Sequence, residues 1–346
     1  MTDQGEKQVP DEELSRSRQQ VASGRSATFC RGFQGLNAVA NAVASGDHWF
    51  IDLLSLWRPS GQPSGQWGLR LALRDGYMNF YRKGQSIARV KHIKGELVCF
   101  THGKYASGAR DFTGQAYART VGRTTTLAAE IIPYNGLDTL KRWISRVNGD
   151  HEHKGYIGLE KQLVDEVVAV NDNVIDLEMA LPAWALQASA PRIDLVAVHE
   201  GRLVFWEVKL PGDSRVRSSV TFQADHNPEV LKQLRSYKIF LEQSLHIEQI
   251  ASAYRQTARL LVILRSYADQ VSTPAPLGKS ITATAEGNNL TVAKEAVLLV
   301  VSDGDNETSS WLSWKRSHEV KLLDSIPMQV MLAPNLLKVP DRLDFR

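Results

Sequence analysis

Two apolar segments, Pro191-Arg192-Ile193-Asp194-Leu195-Val196-Ala197-Val198 and Leu203-Val204-Phe205-Trp206-Glu207-Val208-Lys209-Leu210, carry two acids and a lysine. Both segments have the length and the β-branched and aromatic content of strands. Strands this apolar are normally buried on both faces. A charge there carries a heavy desolvation cost unless another group pairs with it. The two segments therefore predict a buried charged site around Asp194, Glu207 and Lys209.

The connection between these strands sets their register. With Glu200 and Gly201 as a two-residue turn, His199 pairs with Arg202, and Asp194 comes opposite Glu207 on one face. Lys209 lies two residues beyond Glu207 and faces the same way. The alternative is a three-residue loop, because a type I′ turn requires a positive φ of Glu200. That loop would shift the register by one residue.

Two carboxylates about 5 Å apart repel each other by roughly 3 kcal/mol at an effective dielectric constant near 20. Such a pair suits a hard divalent cation, since Mg²⁺ prefers carboxylate oxygens and keeps several of its waters. The alternative is a set of buried ion pairs, in which Lys209 binds one acid and Arg192 binds the other. The spacing alone leaves both interpretations open.

Composition indicates an ordinary globular chain. Its 346 residues, 43% hydrophobic and 23% charged, are enough for about two domains. We find no run of about eighteen apolar residues and no signal-peptide pattern at the start, so we expect a cytoplasmic protein without a membrane partner. Cys30 and Cys99 are too few for a disulfide framework or a zinc cage.

Charge is distributed unevenly along the chain. Residues 26–150 hold 16 Lys and Arg against 8 Asp and Glu, a net charge of +8, whereas residues 151–346 hold 21 against 25, a net charge of −4. This imbalance favours a polyanion held mainly by the first half; the alternative is a basic domain that binds no partner. We predict a disordered tail over 1–25, a basic β-rich (α+β) domain over 26–150 that binds nucleic acid or another partner, and a second domain over 151–346.

In the first half, alternating segments over 67–100 predict a β-meander with turns at Asp75-Gly76 and Lys83-Gly84. Helices are expected over 34–44 and 136–147. Cations interleave with aromatic residues that either stack on a nucleic acid or pack in the core: Trp67, Tyr77, Phe80, Tyr81 and Tyr105.

In the second half, periodicity predicts helices over 157–170, 228–243, 246–268 and 311–323. Strands are expected over 174–181, 296–301 and 328–332, in addition to the two charged segments. This order implies an α/β class with a mixed sheet flanked by helices. The cluster His151-Glu152-His153 matches no standard metal site and is interpreted as a linker.

The P-x-x-D…E-x-K arrangement of Pro191, Asp194, Glu207 and Lys209 resembles the PD-(D/E)xK phosphodiesterase superfamily, which has the restriction-endonuclease-like fold. The preceding helix carries Glu160, like the acidic leading helix of that family. The following helix carries Gln233-Leu-Arg-Ser-Tyr237, which matches the Q-x-x-x-Y motif of the RecB-like branch. The resemblance covers 157–245 and, for the fold, continues to 332; it does not cover 1–150. One departure is that the proline and the aspartate are not adjacent.

The resemblance implies a nuclease in which Asp194, Glu207 and the Val208 carbonyl bind Mg²⁺ or Mn²⁺. Lys209 would orient or help to deprotonate the attacking water and offset charge on the phosphate. Glu160 could reach the metal or its waters, with Glu166 as the rival acid.

The resemblance also implies roles for residues around this centre. Gln233 and Tyr237, one helical turn apart, would support Lys209 or contact the nucleic acid, with plain core packing as the alternative. Arg192, Arg215 and Arg217 are the expected nucleic-acid contacts.

By analogy DNA is the expected substrate, in repair, restriction or phage defence, and a homodimer is an open expectation. Two other function classes stay open: an inactive nucleic-acid-binding protein built on the same fold, and an enzyme that uses the acids without a metal, as a glycosidase does. The sequence leaves open whether cleavage starts from an end.

Overall fold

A computed structural model describes residues 28–107, 116–149, 157–181, 192–217, 228–287, 289–304 and 309–345. Within these ranges the chain forms two sheets and ten helices, a mixed α/β arrangement. The predicted tail over 1–25, the boundary near 150 and the His151-Glu152-His153 cluster lie outside the described residues.

The first sheet is a seven-stranded antiparallel meander in sequence order. Its strands are β1 (Arg70–Arg74), β2 (Tyr77–Arg82), β3 (Gln85–Ile93), β4 (Glu96–His102), β5 (Tyr117–Val121), β6 (Thr124–Leu127) and β7 (Glu130–Pro133). Strands β1–β4 confirm the predicted meander, with Asp75-Gly76 and Lys83-Gly84 as two-residue turns. Strands β5–β7 were not predicted.

Four helices accompany this sheet: α1 (Leu36–Ser45), α2 (Trp49–Leu56), α3 (Gly103–Ala106) and α4 (Leu137–Asn148). Helices α1 and α4 confirm the predictions within two residues. Helix α4 buries Leu140, Trp143, Ile144 and Val147, an apolar stripe with the i, i+3, i+4, i+7 spacing of a helix packed on a core. The short helices α2 and α3 were not predicted.

The second sheet is mixed, as expected. Its strands are β8 (Val174–Ala180), β9 (Arg192–His199), β10 (Arg202–Lys209), β11 (Thr291–Val292), β12 (Val297–Val301) and β13 (Met328–Met331). Strands β8, β9 and β10 are antiparallel neighbours, whereas β12 runs parallel to β10 and β13 runs parallel to β12. Strand β11 pairs with the start of β10.

Six helices belong to this half: α5 (Leu159–Val170), α6 (Glu229–Leu241), α7 (Ser244–Ala268), α8 (Lys279–Glu286), α9 (Ser309–Ser317) and α10 (Glu319–Ser325). Helices α5, α6 and α7 confirm the predictions. The single helix predicted over 311–323 is instead two helices, because the backbone leaves the helical conformation at His318. Helix α8 was not predicted.

Most buried side chains of the two sheets belong to one hydrophobic cluster, and Ala106, Ala118 and Leu127 form a small second cluster. Buried ion pairs also join the two halves, and we call one of them the interface arginine cluster. In it, Asp176 of β8 accepts from Arg74 at 2.6 Å and from the Tyr254 hydroxyl at 2.8 Å, and Arg31 lies 3.6 Å away. The division into two domains stays a prediction.

Four arginines from the basic first half are buried: Arg31, Arg70, Arg74 and Arg82. Arg70 binds Asp165 of α5 at 2.8 Å. Part of the charge imbalance between the halves is therefore satisfied by acids of the second half. These arginines are not available to a polyanion.

None of the helices in the described ranges has the length and apolar character needed to cross a membrane. Cys30 is exposed and Cys99 is buried, and both are free thiols.

Candidate metal centre

The hairpin of β9 and β10 turns at Glu200 and Gly201, whose φ angles are 50° and 75°. Both residues have a left-handed backbone conformation, which is the type I′ geometry of a two-residue hairpin turn. His199 pairs with Arg202, and the ladder continues to Leu195 and Trp206. The two-residue turn is thus confirmed, and this register, continued by one residue, places Asp194 opposite Glu207.

The side chains of the E-x-K segment converge with Asp194. The Lys209 ammonium donates to Glu207 Oε1 and, at 2.8 Å, to the Val208 carbonyl, and it lies 3.8 Å from Asp194 Oδ2. Asp194 Oδ2 also accepts from the Val208 N–H at 2.9 Å. The three groups whose oxygens are predicted to bind a metal therefore surround one cation, the ammonium of Lys209.

This centre is buried. Side-chain exposure is 1% for Asp194, 1% for Glu207 and 0% for Lys209. Burial by itself lowers the pKa of Lys209, but the Glu207 and Asp194 carboxylates outweigh it and raise the pKa above its ordinary value. In this arrangement Lys209 is an ammonium that offsets negative charge and does not accept a proton.

Two charged residues that the sequence analysis missed extend this centre. Leu177 pairs with Leu195 and Met179 with Ile193, so the register of β8 places Glu178 opposite Asp194. Lys161 of α5 donates to Glu178 and, at 3.0 Å, to Asp194 Oδ1. The sequence pattern that pointed to Asp194, an acid inside an apolar strand, also applies to Glu178.

We call these five residues the acid–lysine row. Its order is Glu178, Lys161, Asp194, Lys209, Glu207, with acids from three adjacent strands and a lysine between each pair. Burial lowers the pKa of Lys161, but Asp194 and Glu178 raise it well above its ordinary value. Both lysines are therefore charged, and each separates two acids that would otherwise repel each other.

Glu178 also has an unusual backbone. Its φ of 52° is in the left-handed region, although it lies inside a strand. For a residue other than glycine this conformation costs about 1–3 kcal/mol, and such strain concentrates at functional sites.

Gln233 and Tyr237 of α6 both hold Glu207. Gln233 Nε2 donates to Oε1 at 2.7 Å, and the Tyr237 hydroxyl lies 3.0 Å from Oε2. The hydroxyl also reaches the Arg192 carbonyl, and its one hydrogen serves one acceptor at a time. Burial, followed by the Glu207 charge, raises the pKa of Tyr237, which keeps it a donor. The pair thus contacts Glu207 and not Lys209.

The two candidate acids of α5 differ in what they face. Glu160 lies in the first turn, 3.5 Å from Arg215, and its charge contributes to the raised pKa of both Lys161 and Lys209. Glu166 instead accepts from Gln162 at 3.0 Å. Glu160 is therefore the acid of this helix that acts on the row.

The three arginines predicted to contact nucleic acid are all partly buried. Arg192 lies 3.9 Å from Glu178. Arg215 binds Asp213, which raises the pKa of the guanidinium, and Arg217 donates to the Pro211 carbonyl at 3.0 Å. Their contact with a nucleic acid stays a prediction.

The donor set fits a hard cation. Carboxylate and carbonyl oxygens are the ligands that Mg²⁺ and Mn²⁺ prefer, and Mg²⁺ is commonly held by one or two carboxylates with several waters. No group of three or more His, Cys, Asp or Glu side chains in the described ranges is arranged to hold a metal. Asp194, Glu207 and Val208 would therefore share the cation with water, and Lys209 would have to withdraw from them.

Comparisons of this chain with protein-family models, with curated proteins and with solved structures find no match.

Proposed function

We propose that this chain is a divalent-metal-dependent nuclease of the PD-(D/E)xK type, built on the restriction-endonuclease-like fold, with DNA as its substrate. One observation carries the proposal. Asp194, Glu207 and the Val208 carbonyl surround a single buried cation, the Lys209 ammonium. The order of a helix, three antiparallel strands, a helix and a parallel strand supports the family resemblance.

Each residue of the centre then has a task. Asp194, Glu207 and Val208 would hold Mg²⁺ or Mn²⁺, which supplies an activated water and stabilises charge on the phosphate. Lys209, released from these oxygens, would offset the charge that develops on the phosphate oxygens. Gln233 and Tyr237 fix the Glu207 carboxylate, as partners of metal ligands commonly do.

A second candidate is a nucleic-acid-binding protein without catalysis. The observation that favours it is the near-complete burial of the row, in which lysines already neutralise the acids. A catalytic row has to open to a phosphate and a cation, whereas a structural row stays closed.

The test is cleavage of a supercoiled plasmid and of its linear form, in Mg²⁺ or Mn²⁺ and again in EDTA. The linear form is included because an exonuclease requires an end. We expect metal-dependent cleavage that falls about 10³-fold or more in Glu207→Gln.

Glu200→Gln is the matched control, since it makes the same change at the exposed tip of the same hairpin, and it should cut as the wild type does. DNA binding without cleavage in any metal would support the second candidate. Cleavage that survives Glu207→Gln would contradict the proposed centre.

A further inference from the structure

A groove of about 210 Å³ lies beside the acid–lysine row, between the antiparallel sheet and the end of β8 and β9. Glu178 belongs to both the row and the groove wall. We call this groove the tyrosine groove, and the residues of its wall used below are Tyr77, Arg89, His102, Lys104 and Tyr117. A ligand in the groove would therefore adjoin the candidate metal centre.

The groove wall is aromatic and cationic. Arg89 lies over the Tyr77 ring at 5.0 Å and over the Tyr117 ring at 5.8 Å. The His102 and Tyr117 rings meet nearly edge to face at 5.4 Å. Glu178 is the one carboxylate among the described residues that line the groove, and it already binds Lys161 and Arg192.

Arg89 differs from three of the four buried arginines of the first half. Arg70, Arg74 and Arg82 each bind carboxylates, amide oxygens or backbone carbonyls. Arg89 makes no hydrogen bond or ion pair within the described ranges, and its Nε is buried without an acceptor. A buried donor without a partner costs about 1–3 kcal/mol or more when it is charged, and an anion in the groove would remove that cost.

Lys104 is a second cation of the groove wall. It lies 4.9 Å from the Tyr105 ring, and burial lowers its pKa. The groove thus combines flat aromatic faces with cationic donors, which is the chemistry that binds a nucleotide by stacking and charge.

The groove suits an unpaired base and not a duplex. The faces of paired bases are covered by their neighbours in a double helix, so only an unpaired base can present its face to Tyr117.

We propose that the tyrosine groove binds one unpaired nucleotide of a nucleic-acid strand, with its base on the exposed ring of Tyr117 and its phosphate on Arg89. This proposal rests on the proposed nuclease function and names its substrate as single-stranded or frayed. The strand would then continue past Glu178 to Asp194 and Glu207.

The test is binding of a fluorescein-labelled oligothymidylate and of a blunt duplex of equal length, measured by anisotropy in EDTA so that cleavage does not enter. We expect the single strand to bind at least tenfold more tightly than the duplex. Tyr117→Ala and Arg89→Gln should each weaken single-strand binding about 5- to 100-fold. Tyr117 is 40% exposed, so its loss leaves the core intact.

Arg123→Gln is the matched control, because Arg123 is an exposed arginine at the tip of the same sheet and does not line the groove. It should bind as the wild type does. Equal affinity for both probes, or variants indistinguishable from Arg123→Gln, would overturn the proposal even if plasmid is cut. Free thymidine monophosphate competing as tightly as the strand would also overturn it. Groove-dependent binding without cleavage by any metal would uphold the groove and refute the nuclease.

Discussion

The interface arginine cluster and the acid–lysine row are both buried sets of charges, and each includes an acid of β8. The two sets are built from different cations. Arg74 holds Asp176 and fills its other donors with backbone carbonyls, including that of Leu73 at 2.8 Å. Its planar fork is fixed in place. In the row, flexible lysines lie between acids whose oxygens converge. Burial alone therefore does not separate a structural set of charges from a catalytic one, and we propose that the type of cation does.

The largest expected effect is a loss of stability when the interface arginine cluster is disrupted. Asp176→Ala leaves Arg74 and the Tyr254 hydroxyl without their partner in the core, and it should lower the free energy of unfolding by about 3–5 kcal/mol. Urea denaturation measures this. Asp47→Ala removes an acid from the exposed pair with Arg123 and should leave the midpoint unchanged. Similar midpoints for the two variants would show that the cluster is not structural.

Removing the Lys209 cation from the row should slow cleavage. Lys209→Met deletes the charge that would offset the phosphate, and it should slow plasmid cleavage about 10²–10³-fold. Lys238→Met deletes a partly exposed lysine that binds Glu295 on the outside of α6, and it should cut normally. Circular dichroism would verify that both variants fold. If Lys209→Met cleaves plasmid at the wild-type rate, the role of Lys209 is structural and not catalytic.

Metal binding should stabilise the folded protein only when the acids of the acid–lysine row are intact. Saturating Mn²⁺ at about 100 times its Kd adds about 2.7 kcal/mol, which raises the Tm by about 4 °C. Differential scanning fluorimetry should show this shift in the wild type and in Asp176→Asn, although the latter melts earlier. Asp194→Asn should show no shift. A shift that persists in Asp194→Asn would locate the metal elsewhere.

The smallest and sharpest contrast uses two buried tyrosines. Tyr237 donates toward Glu207 of the row, and Tyr254 donates to Asp176 of the interface arginine cluster. Each Tyr→Phe change should cost about 1–3 kcal/mol of stability, since each removes a hydrogen bond to a charged group. Only Tyr237→Phe should weaken Mn²⁺ binding, about tenfold by calorimetry. Equal Mn²⁺ affinities for the two variants would show that Tyr237 supports metal binding no more than Tyr254 does.

The hairpin could be predicted from sequence because its register depends on local counting. Once Glu200 and Gly201 form the turn, the positions of Asp194, Glu207 and Lys209 follow from the two-residue period of a strand. The positions of Gln233 and Tyr237 follow from the helical repeat in the same way. Their shared contact with Glu207 does not, since it depends on how α6 packs against β10.

The parts that could not be predicted depend on contacts between distant segments. Arg74 and Asp176 are 102 positions apart, and no local pattern indicates that they meet. The excess of basic residues over 26–150 therefore suggested a binding surface, although several of those arginines are internal. Lys161 was missed because a lysine next to Glu160 on a helix resembles a solvated charge until β8 brings Glu178 beneath it.

The most direct test of the central claim is anomalous diffraction from crystals soaked in MnCl₂. We predict a manganese peak in coordination contact with the Asp194 and Glu207 carboxylates and the Val208 carbonyl, with the Lys209 ammonium displaced from Glu207. Density that contains no manganese there, with Lys209 still bound between Glu207 and the Val208 carbonyl, would contradict it.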